Sequence, residues 1–391
     1  MTRACLLQSI LLSSMAALAC TAQTEPSDPA TTQGQIRCVD TPVRHCGIVL
    51  PATPMPSKVM LVIDKSGSMS ARAGDDAWGC CLSGNGGSTQ ATPCQGYDPN
   101  GDCKWNDELN LLLGTGGFLD AAQGVARLGR AVFPDPQASA AGEGCRDGQI
   151  VVSVPAQVGA DNIASITDAL RAPGLAPAGG TPTAVTLQAI ARDEAFMADE
   201  PGTARYAILI TDGMPNCDAS LDAAQCQCTG SSCADPRLCL DDDRTVGAID
   251  DLRAQGVQTF VVGFGSGTGN PTATQALNRM AQAGGRAQRG DRQYNQADSA
   301  ADLAAILEQI RGGIQPCSYR LDRTPASPGL LEVILSDTRL AVNADSVLSQ
   351  HADWDYSDAA ARFVLIKGDK CGLIQGPQSG RFLPGFLQVG R

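Results

Sequence analysis

The feature that most constrains the fold of this chain is the stretch VMLVIDKSGSMS, residues 59–70. It opens with five consecutive apolar residues and then reaches Asp64. Such a run, bounded by polar turn residues, is typical of a strand buried on both faces of a parallel sheet. Asp64, Ser66 and Ser68 follow at the strand's carboxyl end, where open α/β sheets bind ligands. Three short oxygen-bearing side chains on one turn can converge on a hard cation, so the stretch also predicts a cation site.

Two later segments carry side chains that belong with this turn. Thr181 follows a stretch rich in helix breakers, and we expect it to be the N-cap of a helix with Pro182 at the first helical position. A second apolar strand run, Tyr206 to Ile210, ends at Thr211 and Asp212. A second strand therefore places a carboxylate at its carboxyl end, where Asp212 can lie close to Asp64.

Strand and helix patterns alternate through the middle of the chain, which predicts helices on both faces of a parallel sheet. The fold class predicted is α/β, a Rossmann-like, doubly wound and mostly parallel sheet with a small β-rich appendage at the C-terminus. Further strands are expected at 125–133, 149–154, 257–263 and 286–294, and helices at 105–120, 161–170, 181–197, 241–255, 271–283 and 299–311. From residue 316 onward short strand patterns separated by turns replace this alternation.

The three motif segments occur in the order Asp64-Lys65-Ser66-Gly67-Ser68, then Gly179-Gly180-Thr181, then Ile210-Thr211-Asp212-Gly213. In this set the chain resembles the von Willebrand factor A domain family, whose members carry a metal-ion-dependent adhesion site. The resemblance covers roughly residues 57–313. Bacterial secreted A domains with Cys-rich insertions are the most similar type.

The resemblance implies a role for each motif residue. Ser66 and Ser68 would bind the cation through their hydroxyls, and Thr181 would supply a third hydroxyl, directly or through water. Asp64 and Asp212 would orient bound waters and serines, or bind the ion directly, depending on state. Thr183 is the rival for the role of Thr181, and the spacing to Leu187 favours Thr181. The implied cofactor is Mg²⁺, with Mn²⁺ or Ca²⁺ as alternatives.

The function implied is adhesion or protein–protein interaction, in which the cation bridges to an acidic side chain of a protein partner. We expect no enzyme activity, because only two histidines occur, His45 and His351, and no base for catalysis is evident near the motif. Two alternatives stay open: a secreted metal-dependent hydrolase, and a scaffold subunit of an envelope complex. A net charge of −12 argues against nucleic acid as a partner.

The N-terminal residues predict export. Residues 1–19 have the pattern of a secretory signal peptide, with one charge at Arg3 and an apolar core. The segment also resembles a bacterial lipoprotein signal, in which Cys20 would be acylated, although Ala17 stands where leucine is usual. The protein is thus expected at the outer membrane or cell surface through a lipid anchor, or else as a soluble periplasmic or extracellular protein. A flexible tether (20–37), a strap (38–56), the A domain (57–313) and a β-rich region (314–391) would follow.

Sixteen cysteines suit an oxidising compartment. Removal of Cys5 with the signal peptide and acylation of Cys20 leave an even number for disulfides. Cys226 and Cys228 lie close in sequence and could suggest zinc, but disulfides are favoured in a secreted chain. Two Cys-rich insertions interrupt the pattern, one from Ala71 to Cys103 and one from Cys217 to Cys239. A bridge between them, and another from Cys317 to Cys371, are candidate pairings. The disulfide candidates are Cys38, Cys46, Cys80, Cys81, Cys94, Cys103, Cys145, Cys217, Cys226, Cys228, Cys233, Cys239, Cys317 and Cys371.

Overall fold

The structure is a computed structural model that describes residues 36–40, 44–74, 96–137, 144–157, 161–173, 175–230, 233–337, 346–375 and 382–389. The predicted signal peptide, Cys20 and nearly all of the predicted tether lie outside these residues, as do Cys80, Cys81 and Cys94. Within the described part of the chain, no helix has the length and apolar character needed to cross a membrane.

The buried run found in the sequence is one strand of a six-stranded sheet. Two smaller antiparallel sheets are formed by strands that precede and follow it along the chain. In chain order the strands are β1 (Ile36–Asp40), β2 (Arg44–Val49), β3 (Ala52–Pro54), β4 (Ser57–Asp64), β5 (Ala126–Phe133), β6 (Gln149–Val152), β7 (Arg205–Thr211), β8 (Val257–Phe264), β9 (Asn295–Ala297), β10 (Ser318–Leu321), β11 (Leu331–Asp337), β12 (Ser346–Leu348), β13 (Trp354–Tyr356), β14 (Phe363–Ile366) and β15 (Phe382–Val389).

The six-stranded sheet has the order β6-β5-β4-β7-β8-β9. All neighbours in it are parallel except β5 and β6, which run antiparallel. Every residue of β4 is buried, as the apolar run predicts for a central strand. This confirms the predicted α/β class with a mostly parallel sheet.

Helices cover both faces of this sheet. They are α1 (Lys104–Leu113), α2 (Phe118–Ala122), α3 (Ile163–Leu170), α4 (Thr183–Ile190), α5 (Glu194–Met197), α6 (Asp242–Ala254), α7 (Pro271–Ala283), α8 (Ala300–Gly313) and α9 (Gly368–Gln375). Val59, Leu61 and Ile63 pack with α1, α2, α3 and α8, whereas Met60 and Val62 pack with α4 to α7. Because side chains of a strand alternate between faces, one apolar run serves two cores.

The remaining strands form two antiparallel sheets, β1-β2-β15-β11-β12 and β13-β14-β10-β3. Residues from both share a core that includes Leu50, Leu321 and Trp354. The strap and the C-terminal region, which the sequence analysis separates, therefore pair with each other through β2 with β15 and β3 with β10. The disulfides Cys38–Cys46 and Cys317–Cys371 lie in this part.

Four local predictions differ from the structure. The helix predicted over 181–197 is divided into α4 and α5, because α4 ends at Ile190 and α5 begins only at Glu194. The segment 286–294 is not a strand but a turn, in which Gln288 N donates to Gln293 O at 2.6 Å, and β9 begins only after it. The helix predicted from residue 105 to 120 is divided, because α1 ends at Leu113 before Gly114. Thr181 is not an N-cap, since Pro182 occupies that position and α4 begins one residue later.

Candidate metal centre

The carboxyl ends of β4 and β7 bring two motif segments together. These strands are parallel neighbours, with Ile63 opposite Ile210. Asp64, the last residue of β4, and Asp212, directly after β7, therefore emerge at the same edge of the sheet. This is the edge where open α/β sheets bind ligands.

Asp64 is completely buried, and hydrogen bonds fix both of its carboxylate oxygens. Its Oδ1 accepts from Ser66 N at 2.6 Å, and its Oδ2 accepts from Thr211 Oγ1 at 2.6 Å. The first bond shapes the turn after β4, and the second joins that turn to the end of β7. Asp64 thus ties the two strand ends together and orients the serine loop.

Three oxygens converge above this carboxylate. Ser68 Oγ donates to Asp212 Oδ1 at 2.8 Å, Ser66 Oγ lies 3.4 Å from the same oxygen, and the two hydroxyl oxygens are 3.1 Å apart. Ser66 and Asp212 are buried, whereas Ser68 is exposed. The hydroxyl of Ser68 is therefore accessible from solvent, whereas Ser66 and Asp212 are enclosed by the protein.

The loop that carries Thr181 is attached to the serine loop through backbone hydrogen bonds. Ala178 N donates to Lys65 O at 2.8 Å, and Gly67 N donates to Gly179 O at 2.9 Å. Thr181 itself is 5 % exposed, and its backbone N donates to Asn216 Oδ1 at 2.8 Å. The structure thus places Thr181 beside the serine loop and fixes it through its backbone, and the hydrogen bonds that join the three oxygens do not include its hydroxyl. Thr183, the rival residue, is buried in the first turn of α4, where its hydroxyl is 3.4 Å from Thr181 O.

Two glycines and a disulfide hold this loop in position. Gly179 has a φ of +85°, which a residue with a side chain rarely adopts. A Cβ on Gly180 would lie 2.6 Å from Cys217 Sγ and 3.2 Å from Cys145 Sγ, which form a disulfide. This bridge joins the β5–β6 loop, which holds Cys145, to the Cys-rich insertion that begins at Cys217, and the Thr181 loop packs directly on it.

Lys104, a residue that the sequence analysis did not single out, reaches the site from the start of α1. Its Nζ lies 2.7 Å from Asp212 Oδ2, and both side chains are almost completely buried. Asp212 therefore presents one oxygen to the serines and the other to an ammonium group. A charged residue at the first position of a helix ordinarily lies in solvent, so the local sequence gave no signal of this contact.

Three acidic side chains, those of Asp64, Glu108 and Asp212, are buried at this edge. Burial, and then the charge of Asp212, raises the pKa of Asp64 above its ordinary value. Glu108 lies one turn after Lys104 on α1 and is 0 % exposed, and neither of its carboxylate oxygens accepts a hydrogen bond from a described residue. Burial, and then the charges of Asp64 and Asp212, raises the pKa of Glu108 well above its ordinary value. Buried acids with raised pKa values are typical of functional sites.

The oxygen triangle has the dimensions that a small divalent ion requires. In an octahedral shell with ligands at 2.0–2.1 Å, adjacent oxygens are separated by about 3 Å. The three distances of 2.8, 3.1 and 3.4 Å fit one face of such a shell. Hydroxyl and carboxylate oxygens are also the donors that hard cations prefer, so the residues present fit a divalent cation.

A second group of possible metal ligands has a different explanation. The sulfurs of Cys226, Cys233 and Cys239 lie within 4.8 Å of one another. However, Cys226 is bonded to Cys239 and Cys233 to Cys228, so these sulfurs are not thiolates. A metal would need the thiolate form. The preference for disulfides over zinc in this insertion agrees with the structure.

Cys103 requires a correction, because the sequence analysis places it among the disulfide candidates. Among the described residues it is a free thiol, and it is buried. It packs in the core with Trp105 and Leu109 of α1. Burial raises the pKa of its thiol to about 11, so the group behaves as a small apolar side chain.

Comparisons with known proteins give distant structural resemblances only. No family model matches this sequence, and no curated protein matches it. The chain is 14 % identical to the pilus adhesin SpaC of Lactobacillus rhamnosus GG, with a TM-score of 0.44. The match covers 93 % of this chain and 44 % of the adhesin. The chain is 16 % identical to the PilB minor pilin of Streptococcus sanguinis, with a TM-score of 0.43, over 67 % of this chain and 62 % of that one. It is 14 % identical to the manganese-loaded TRAP protein of Plasmodium vivax, with a TM-score of 0.38, over 76 % of this chain and 96 % of that one. This chain therefore spans less than half the length of the pilus adhesin.

Proposed function

We propose that this protein holds a divalent cation at the carboxyl edge of its parallel sheet and binds a protein partner by bridging that cation to a partner carboxylate. In this proposal residues 57–313 form a von Willebrand factor A domain with a metal-ion-dependent adhesion site. The observation that carries it is the triangle of oxygens from Ser66, Ser68 and Asp212. These come from two distant parts of the chain and have the spacing of a metal ligand face.

The charges around the triangle support a bridging role. Ser66 and Ser68 donate neutral oxygens, so they leave most of the charge on an ion that they bind. Lys104 lies against the second oxygen of Asp212 and compensates part of that carboxylate's charge. Thr181 would complete the ligand set directly or through water. A Mg²⁺ or Mn²⁺ ion held in this way retains a net positive charge and exposed water ligands, which a carboxylate from a partner can replace.

Metal binding is the first test. Titration calorimetry with Mn²⁺ should show one site in the whole protein. Ser66→Ala and Asp212→Asn should each weaken binding at least about tenfold, since each removes an oxygen of the triangle. Ser327→Ala, a substitution of an exposed serine outside the site, should leave the affinity unchanged. Equal Mn²⁺ affinity in Ser66→Ala and the unaltered protein would contradict the site.

Carboxylate binding is the second test. Acetate should displace water from the bound Mn²⁺, which lowers the enhancement of water proton relaxation, and acetamide should not. Binding of envelope proteins to the immobilised chain should then require Mg²⁺, stop with EDTA, and be lost in Ser66→Ala. A partner that binds equally well in EDTA would show that the cation does not form the bridge.

The proposal also includes export and a lipid anchor. Cys20 would be acylated, and the protein would stay on the envelope through that anchor. Cys20→Ala should release the protein into the soluble fraction while its Mn²⁺ affinity remains the same. An intact mass that shows cleavage without an added lipid would replace this part by simple secretion.

A further inference from the structure

A second cavity, away from the metal centre, lies between the end of α8, the last turn of α9 and the loop that follows α7. Its volume is about 740 Å³, and its walls include Phe260, Arg286, Ile310 and Gln375. This volume is within the range of small-molecule sites. Apart from Arg286, the one ionisable residue among the described residues that line the cavity is Glu308.

Arg286 is held in place by two aromatic rings. The centre of its guanidinium lies 5.1 Å from the ring centre of Tyr206 and 4.8 Å from that of Phe260. These rings come from the neighbouring strands β7 and β8, and their centres are 5.8 Å apart. Gly285, with a φ of +71°, turns the chain after α7 so that Arg286 reaches back over them. Stacking of this kind fixes a guanidinium without using its N–H donors.

Those donors have no partner among the described residues. The Nε of Arg286 is buried and makes no hydrogen bond there, and its guanidinium forms no ion pair with a described carboxylate. Glu308, the one carboxylate of the walls, is bound instead to Arg311, which donates from Nε at 2.7 Å. The cavity therefore contains one cation whose charge is not compensated by its own walls.

We propose that this cavity binds a small organic carboxylate, with the carboxylate on Arg286 and an apolar body against Phe260 and Ile310. A guanidinium and a carboxylate match in shape and can form two parallel hydrogen bonds. The Arg286 fork is already oriented by the rings, so little side-chain entropy is lost when the ligand binds. The amide of Gln375 is a further polar group at the cavity wall, and its Nε2 donates to Gln315 O at 2.8 Å.

The test uses benzoate as the probe and benzamide as its neutral counterpart, with the whole chain in EDTA so that the proposed metal centre is inactive. Backbone amide shifts in NMR report the site of binding. We expect saturable shifts at Gly285 and Gly313 with benzoate, and at least about tenfold weaker binding of benzamide. Arg286→Met should weaken benzoate at least tenfold, and Arg286→Lys should weaken it by less. Arg289→Met, which removes an exposed arginine outside the cavity, should have no effect.

Three results would overturn the proposal: no saturation by benzoate, equal affinity for benzoate and benzamide, or unchanged affinity in Arg286→Met. The benzoate and benzamide comparison needs no variant, so it decides the matter even if Arg286→Met fails to fold. Because the measurement is made without metal, its outcome is independent of the divalent cation site.

Discussion

The two ends of strands β4 and β5 both bury charged side chains, but in opposite ways. At the amino end, Lys58 lies opposite Arg127, and both bind Glu200. Lys58 Nζ also donates to Ala195 O at 2.9 Å and Ala198 O at 2.8 Å. Burial would raise the pKa of Glu200, but hydrogen bonds from Arg127 and Lys58 outweigh it, and the pKa lies below its ordinary value.

At the carboxyl end the acids are not fully paired. Asp64, Asp212 and Glu108 are buried near one another, and Lys104 forms an ion pair with Asp212. Arg130 and Lys65 are buried near Glu108 and Asp64, but the oxygens of Glu108 have no described hydrogen-bond partner. Both Asp64 and Glu108 have raised pKa values. A carboxylate whose pKa is lowered by its hydrogen-bond partners stabilises the fold, whereas buried acids with raised pKa values are typical of functional sites. The comparison indicates that the amino end is structural, and it supports our proposal that the carboxyl end is the functional end.

The largest expected effect is at the amino end. Glu200→Gln should lower the free energy of unfolding by about 3–5 kcal/mol, because it leaves two buried cations without their carboxylate. Urea unfolding measures this, and the Mn²⁺ affinity of the folded variant should not change. The matched substitution at the other end, Glu108→Gln, should cost far less, because the carboxylate oxygens of Glu108 have no described hydrogen-bond partner to lose. Equal costs for the two variants would remove the distinction between the ends.

The disulfide beside the functional end should give the next largest effect. The double variant Cys145→Ser, Cys217→Ser should lower the free energy of unfolding by about 2–4 kcal/mol, because the bridge closes a long segment of chain. It should also weaken Mn²⁺ binding, since the Gly179–Thr181 loop packs on the bridge. The double variant Cys317→Ser, Cys371→Ser is the control, because it removes a disulfide that lies away from the site. If both double variants bind Mn²⁺ as tightly as the unaltered protein, the bridge has no role in the site.

A smaller effect should follow from Lys104, the base that forms an ion pair with Asp212. Lys104→Met removes a positive charge from beside Asp212, so the affinity for Mn²⁺ should rise about tenfold, or about 1.4 kcal/mol. Calorimetric titration measures the change, and Lys104→Arg, which retains the charge, should stay near the original affinity. A fall in affinity in Lys104→Met would mean that Lys104 positions Asp212 for the ion and does not oppose it.

The sequence was sufficient for features that local patterns determine. The apolar run of β4, the strand before Asp212, helix α7 and the β-rich character of the C-terminal region all follow from periodicity and turn residues. Asp64, Ser66, Ser68 and Asp212 could be assigned to one site because parallel strands end at the same edge.

Long-range contacts could not be predicted in the same way. The approach of Lys104 to Asp212 depends on how α1 packs over the sheet, and no local pattern encodes that packing. The pairing of β3 with β10 joins strands from opposite parts of the chain, so a division by sequence order missed it. Arg286 lies in a segment with strand-like residues, and only the rings from two other strands explain its conformation.

The smallest expected effect tests whether the imbalance extends beyond the metal ligands, at Asp241 before α6. Burial, and then the charge of Asp218, raises the pKa of Asp241 from 3.8 to about 7. The folded state thus binds this proton more tightly than the unfolded state. The resulting stabilisation is fully present below the unfolded pKa and is lost as the pH rises through the folded pKa. Between pH 5 and pH 8 the free energy of unfolding in EDTA should fall by about 1–2 kcal/mol through this group, after allowance for partial solvation.

Asp241→Asn should remove that part of the pH dependence, whereas Asp222→Asn, a substitution of a carboxylate outside the cluster, should retain it. If Asp241→Asn shows the same pH dependence as the unaltered protein, the unbalanced charge at the carboxyl edge is confined to the metal centre itself.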